Sequence, residues 1–214
     1  MICDKKLEFP KWDESDLNSC VVDYCVHIMD TARRESCGKS VLCREGTWQA
    51  YEIIKYIAKG NGRSDDIELL QELLEQIKRH ESCEMARDAA SICLELIVKH
   101  EDEWSKHIRR KICSNMICKG MYTLYIDPQL CDGCGLCLNS CPSNSIAGGE
   151  QMIHVIDTEL CNKTLACVHV CPKGAIKKAG AVKPRIPKEP IPVGNVGESS
   201  DEQIGKTTRR RRRK

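Results

Sequence analysis

The stretch Cys131-Asp-Gly-Cys134-Gly-Leu-Cys137-Leu-Asn-Ser-Cys141-Pro142 spaces four thiols as C-x2-C-x2-C-x3-C-P. Three thiolates at that spacing close a tight loop around one iron–sulfur cluster, and the fourth, followed by Pro, ligates a second cluster. Gly133 and Gly135 suit a loop whose amides turn in toward sulfur and whose backbone visits positive φ. Zinc is the main competitor for Cys-rich spacings. Its sites, however, draw on separate Cys-x2-Cys pairs rather than on four Cys in one run closed by Pro. The spacing therefore selects iron–sulfur chemistry.

A second run, Cys161-Asn-Lys-Thr164-Leu-Ala-Cys167-Val-His-Val-Cys171-Pro172, lies 30 residues downstream. The repeat extends outward: Tyr125-Ile126-Asp127 matches Val155-Ile156-Asp157, and Ile146 after the first Cys-Pro matches Ile176 after the second. Each half is expected to be a short strand, a cluster loop and a short helix begun at the Pro, whose missing N–H is no loss there. By the crossover of the fourth ligand, Cys131, Cys134, Cys137 and Cys171 are expected to hold one [4Fe–4S] cluster. Cys161, Cys167 and Cys141 are left for the other, with Thr164 where its fourth thiolate would stand. Over about residues 121–180 the chain resembles the dicluster bacterial ferredoxins. Its second run resembles that of their seven-iron forms, which implies a [3Fe–4S] cluster or a labile [4Fe–4S] cluster there.

Sixteen Cys would suit a disulfide scaffold in a short secreted chain. The N-terminus, Met1-Ile-Cys-Asp-Lys-Lys, is not followed by an apolar stretch of signal-peptide type, and no apolar run approaches the length of a membrane span. Reduced, metal-binding thiols in a cytoplasmic protein are the better reading. Charge is unevenly placed. Lys206, Arg209 to Arg213 and Lys214 make a strongly basic end, and 26 basic side chains face 31 acidic ones over the rest. With no aromatic interleaving and no recognition fold, this end reads as a solvated, disordered tail rather than a specific nucleic-acid site.

The elements that must position these residues are legible from periodicity. Residues 1–19 are polar and irregular. From Asp23 a helix is expected, with Cys25, Ile28, Met29 and Ala32 on one face. A second carries Trp48, Tyr51, Ile54 and Ile57 and stops at Gly60-Asn61-Gly62. A third opens at Asp65 and Asp66 and carries Ile67, Leu70, Leu74 and Ile77; a fourth carries Ala89, Ile92, Leu96 and Trp104. The fold class expected is α+β: a four-helix bundle over 20–110, a connector over 111–120, and a ferredoxin-like dicluster domain over 121–180. Residues 181–214 would then be a linker, with Pro184, Pro187, Pro190 and Pro192, and the basic tail.

The bundle has thiols of its own. In Glu35-Ser-Cys37-Gly-Lys-Ser40-Val-Leu-Cys43-Arg44-Glu-Gly46, spacing alone leaves open whether Cys37 and Cys43 are ligands or ordinary buried thiols. The loop enters a helix N-terminus, whose free N–H groups favour a negative cluster, and Arg44 adds charge. This stretch resembles the E-S-C-G-x-C-x-x-C-R-x-G signature of the NADH-binding flavoprotein subunit of respiratory complex I. It also resembles the homologous subunit of electron-bifurcating NAD-dependent hydrogenases. The likeness continues through Gly60-Asn-Gly62, Asp66-Ile-Glu-Leu-Leu, Ser82-Cys83 and Glu101-Asp-Glu-Trp-Ser-Lys-His107. It implies a further cluster on Cys37, Cys43 and Cys83, with Ser40 in place of the fourth Cys, and again a [3Fe–4S] or labile cube. The family's flavin and NADH domain precedes the bundle with a Gly-rich nucleotide loop. No G-x-G-x-x-G after a strand occurs in this sequence, so no FMN or NAD site is expected.

His107, Cys113 and Cys118 lie between the two halves, and imidazole with thiolates is zinc chemistry. The resemblance to hydrogenase subunits implies a structural zinc there, with Cys20 as fourth ligand, pinning the ferredoxin half against the bundle. Cys25 and Cys93 read as core residues, and Cys3 fits no site. The expected function is a non-catalytic electron-transfer subunit. It would relay electrons between a flavin/NADH-binding partner and other iron–sulfur subunits of an oxidoreductase complex. The alternatives are a structural or interaction module with degenerate cluster sites, or a fragment of a longer gene.

Overall fold

The computed structural model describes residues 6–182 and 184–194; Cys3 and the basic end from Gly205 to Lys214 lie outside the described residues. The chain forms two compact units, parted between Tyr122 and Thr123. The first is helical and the second is built from short strands around two loops, giving the expected α+β class.

The first unit contains α1 (Val21–Arg34), α2 (Thr47–Ala58), α3 (Asp66–His80), α4 (Glu84–Lys99) and the short α5 (Glu101–Ser105). α1 packs on α2, α2 on α3, α3 on α4 and α4 back on α1, a closed ring of four. Cys25, Ile28, Met29 and Ala32, the expected inner face of α1, are all buried. α3 is charged around most of its circumference and is held by Leu70, Leu74 and Ile77, each worth about 1.5–3 kcal/mol when fully buried. Its Asp66 side chain accepts the Arg63 N–H at 2.7 Å, while Lys78, Arg79 and His80 close the last turn, so both ends suit the helix dipole.

The inner face of α2 differs from expectation. It buries Thr47, Ala50, Ile54 and Ile57, whereas Trp48 is 48% exposed. Small residues at Thr47 and Ala50 let α2 lie close to its neighbours, and the larger rings are displaced to the rim. There the Arg33 guanidinium and the Lys55 ammonium stack over Tyr51 at 4.2 and 4.8 Å. Two wide π-helical turns interrupt the α-helical geometry: Leu42–Gly46 leads into α2, and Lys106–Arg110 follows α5. Such turns recur at functional sites because the extra residue turns one side chain out of helical register. Here they carry Cys43 and His107, both buried. Among the described residues, no helix is long and apolar enough to cross a membrane.

The second unit has a two-fold pattern. β1 (Thr123–Ile126), which precedes the first run, pairs antiparallel with β5 (Ile176–Ala179), which follows the second. β4 (Val155–Ile156), which precedes the second run, pairs with β2 (Ile146–Ala147), which follows the first. The two pairings are equivalent in register, with Ile126 opposite Ile176 and Ile146 opposite Ile156. Each closes with the same hydrogen bond at 2.7 Å, from Asp127 N–H to the Ala175 carbonyl and from Asp157 N–H to the Ser145 carbonyl. The short helices α6 (Leu136–Asn139) and α7 (Ala166–Val170) lie inside the loops, before each Cys-Pro, not after it as the Pro suggested. The chain after each Pro makes one turn only. Asn144 and Gly174, at φ 49° and 56°, break it and send the backbone into β2 and β5. Within the stretch expected to be a linker, Ile191–Pro192 (β6) instead pairs antiparallel with Met152–Ile153 (β3) of the second unit.

Candidate metal centres

Cys20, His107, Cys113 and Cys118 are all buried, and their ligand atoms lie within 4.8 Å of one another. The start of α1, the turn after α5 and the segment that follows it converge here, all within the first unit. The Asn115 amide donates to the Ser19 carbonyl at 2.8 Å, fastening the segment beside Cys20. His107 Nε2 stands 3.4 Å from Cys20 Sγ and 3.3 Å from Cys118 Sγ, and the two sulfurs are 3.7 Å apart. A tetrahedral ion with metal–sulfur bonds of about 2.3 Å and metal–nitrogen bonds of about 2.0 Å sets such pairs about 3.5–3.8 Å apart. The donor set thus fits a single tetrahedral ion. His107 Nδ1 is 2.8 Å from the Glu103 carbonyl, which takes its proton and leaves Nε2 to face the thiols, the outer-shell arrangement typical of metal-bound His. Burial opposes a charge on His107, but hydrogen bonds with Cys113 and Cys20 push it up to about 10. The Cys113 thiol is held down by hydrogen bonds from Cys118 and Cys20, and Cys118 is pushed up by its bonds to Cys113 and Cys20. Binding an ion must displace these protons.

In the bundle, Cys43 sits on the first π-turn and Cys83 is the N-cap of α4; both are fully buried, while Cys37 lies exposed on the preceding loop. Ser36 Oγ is 3.3 Å from Cys43 Sγ. Arg44 braces the loop through the Gly38 carbonyl at 3.2 Å, but its charge is shared with Glu45 at 2.8 Å rather than turned wholly to the thiols. Ser40, at the place of the absent thiol, donates its hydroxyl hydrogen to Glu81 Oε2. Glu81 is buried, and its Oε1 accepts the N–H groups of Ser82 and Cys83 at 2.8 and 2.9 Å. Periodicity gave Glu81 no role; its only sequence signal is an acid two residues before Cys83. Cys25 and Cys93 are hydrogen-bonded to each other in the core, where burial pushes the Cys25 thiol up.

In the second unit the strand pairings turn each Cys-Pro thiol toward the other run. Cys171 immediately precedes the turn into β5, whose partner β1 leads to Cys131; Cys141 stands in the same relation to β2, β4 and Cys161. Burial, and then the charges of Cys131, Cys171 and Cys134, push Cys137 up to about 11. Burial, and then Cys161 and Cys141, push Cys167 up. Cys137 thus lies near Cys131, Cys134 and Cys171, and Cys167 near Cys161 and Cys141. Cys141, Cys161, Thr164 and Cys167 line one small pocket with Ile146 and Ile156. Four thiols in one case and three in the other are donor sets that fit iron–sulfur clusters. Three side chains beside them were not anticipated. Ser145 and Ser143 place hydroxyls 3.3 and 3.5 Å from Cys141 Sγ. With the Ser145 N–H they outweigh burial and hold that thiol down at about 7. His154, buried, stands with Nδ1 3.7 Å from Cys131 Sγ. It packs under Gly148, where a Cβ would fall 2.2 Å from the His154 ring.

Comparison with known proteins agrees with this division. A family model described as the NADH-ubiquinone oxidoreductase-F iron-sulfur binding region matches residues 23–107, and a 4Fe-4S dicluster domain matches residues 123–172. The NADP-reducing hydrogenase subunit HndC of Solidesulfovibrio fructosivorans is 34% identical over 139 residues, 65% of this chain and 28% of the relative. The mitochondrial NADH-ubiquinone oxidoreductase 51 kDa subunit of Neurospora crassa is 37% identical over 95 residues, 44% of this chain and 19% of the relative. The mitochondrial NADH dehydrogenase [ubiquinone] flavoprotein 1 of Dictyostelium discoideum is 35% identical over 68 residues, 32% of this chain and 14% of the relative. The chain thus spans less than a third of the length of each of these relatives. In the order and content of its two modules, the chain resembles the iron–sulfur portion of the NADH-binding subunits of complex I-type and hydrogenase oxidoreductases.

Proposed function

We propose that this chain is an iron–sulfur electron carrier working beside a flavin- and NADH-binding partner, and that it neither makes nor breaks substrate bonds itself. The observation that carries this reading is the pairing of β1 with β5 and of β2 with β4, which sets Cys171 toward the first run and Cys141 toward the second and so supports an exchange of fourth ligands. Cys131, Cys134, Cys137 and Cys171 would hold a [4Fe–4S] cluster, Cys141, Cys161 and Cys167 a second cluster beside Thr164, and Cys37, Cys43 and Cys83 a third. Bound there, clusters supply one-electron chemistry whose potential the protein sets by charge, hydrogen bonds and exposure. The chain's own work is to hold the thiolates, to direct Ser143, Ser145 and His154 at two of them, and to exclude water with Ile146 and Ile156. Cys20, His107, Cys113 and Cys118 would hold zinc. Three thiolates and an imidazole with no open corner are a structural set, and its place inside the first unit makes it a clasp on that unit's own termini.

The test is anaerobic. The purified chain should retain no flavin and reduce no dye with NADH, and should be reduced once the NADH-binding subunit of a related hydrogenase is added. Flavin retained through purification, or no reduction with that partner, would defeat the reading. The same preparation should hold about one zinc, and His107→Ala with Cys113→Ser should lose it without loss of iron.

A further inference from the structure

The geometry points to Glu81 as the fourth ligand of the bundle site: its carboxylate Oε2 stands in for the thiolate absent at Ser40 and takes the corner iron of a four-iron cluster. The inference rests on the proposed cluster at Cys37, Cys43 and Cys83 and concerns only what completes it. Glu81 is 4% exposed, and its stabilising partners are all neutral donors: the Ser40 and Ser82 hydroxyls and the Ser82 and Cys83 amides. Those four donors stabilise the buried carboxylate where it stands, and its Oε2 lies beside Ser40, the position at which an iron would be left without thiolate.

The two oxygens divide the work. Oε1 takes both amides at the start of α4, at 2.8 and 2.9 Å, together with the Ser82 hydroxyl at 3.2 Å. That satisfies the helix N-terminus, so capping explains Oε1 and not Oε2. Oε2 is turned to the Ser40 hydroxyl, the side chain occupying the vacant corner of the three-Cys loop. An oxygen that accepts one hydrogen bond keeps a lone pair for a metal. Ser40 is the weaker candidate, because a hydroxyl must lose its proton to become an anionic ligand, whereas a carboxylate is anionic already. Ser40 then donates a hydrogen bond to Oε2 without being a ligand or being required for the cluster. Carboxylate oxygen is harder than thiolate, so the corner iron would be the most readily lost of the four.

The experiment uses the full chain carrying Thr164→Cys, so that a three-iron signal from the second ferredoxin run is suppressed, loaded with iron and sulfide anaerobically. Iron counts and EPR of the oxidised protein are read for this parent, for Glu81→Gln, Glu81→Ala and Ser40→Ala, and for Cys37→Ala to mark which signal belongs to the bundle. Glu81→Gln keeps an oxygen to accept the two amides, so α4 is retained while the anionic ligand is removed. The expected result is no three-iron signal sensitive to Cys37→Ala in the parent or in Ser40→Ala. Both Glu81 variants should lose about one iron and gain about one three-iron spin per chain. Full iron in Glu81→Gln with loss in Ser40→Ala would assign the corner to Ser40. A Cys37-dependent three-iron signal already in the parent would show the corner unliganded. Iron content indifferent to Cys37→Ala would remove the bundle cluster itself, and with it both this assignment and that part of the proposed function.

Discussion

In the run from Cys131 the loop turns through Gly133 and Gly135, both at φ 75°; in the run from Cys161 the same two places are held by Lys163 and Leu165, at 54° and 65°. A non-glycine residue pays about 1–2 kcal/mol to sit there. The second loop keeps the shape of the first without the residues that make the shape easy. Its conformation is therefore imposed from outside, by the equivalent pairings of β2 with β4 and β1 with β5 and by the twin hydrogen bonds from Asp127 and Asp157. What differs is the chemistry. The first run has four thiols and a buried His154 against Cys131. The second has three thiols, Thr164, and two hydroxyls on Cys141 that Cys171 lacks, since the corresponding positions are Lys173 and Ala175. A shared scaffold thus carries two unequal sites. Fewer anionic ligands and more hydrogen bonds to sulfur both raise a cluster's potential, so the second site should be the better electron acceptor.

The crossing of ligands is the part of this comparison whose failure would matter most. Cys171→Ser should abolish the four-iron signal of the first run while leaving that of the second, and Cys141→Ser should do the reverse, each removing about three to four irons. Loss of the second-run signal in Cys171→Ser would mean that the runs do not exchange ligands. Next in size is Thr164→Cys. It should add about one iron, replace a three-iron EPR signal by that of a cube, and lower the potential of that site toward the first. An unchanged spectrum would place the difference between the runs elsewhere than at Thr164.

Smaller effects are expected from the hydroxyls. Neutral hydrogen bonds contribute about 0.5–1.5 kcal/mol each. In the metal-free protein the Cys141 thiol, held at about 7 against an ordinary 9.0, is thiolate above about pH 7. Because the folded value is depressed, the stabilisation of that thiolate is present above the ordinary value and is lost as pH falls through about 7. Ser145→Ala with Ser143→Ala should move the midpoint of Cys141 alkylation upward, and in the loaded protein should lower the potential of the second site. A midpoint that does not move would show that the hydroxyls serve the fold and not the sulfur.

The spacing of sixteen cysteines, the inner faces of α1 and α3, and the repeat from Tyr125 to Ile176 were all legible in the sequence. Each is periodic or local, and period fixes which side chains share a face or a loop. The strand repeats are in register with the cysteine repeats, and the proposed division of the second unit's thiols into two groups rests on that. Position across long separations was not legible. That Cys20 meets His107 and Cys118, 87 and 98 residues away, was reached only through resemblance. Tertiary structure supplies it by closing the ring of helices and bringing the start of α1 against the turn after α5. The contacts of Glu81 with Ser40, of Ser145 with Cys141 and of His154 with Cys131 had no signal of spacing at all. A ligand's thiol is announced by its neighbours in the chain, but the groups that tune it arrive from other segments. Nothing in a local pattern encodes which buried oxygen or nitrogen will lie beside a given sulfur; only the packed chain brings them within reach.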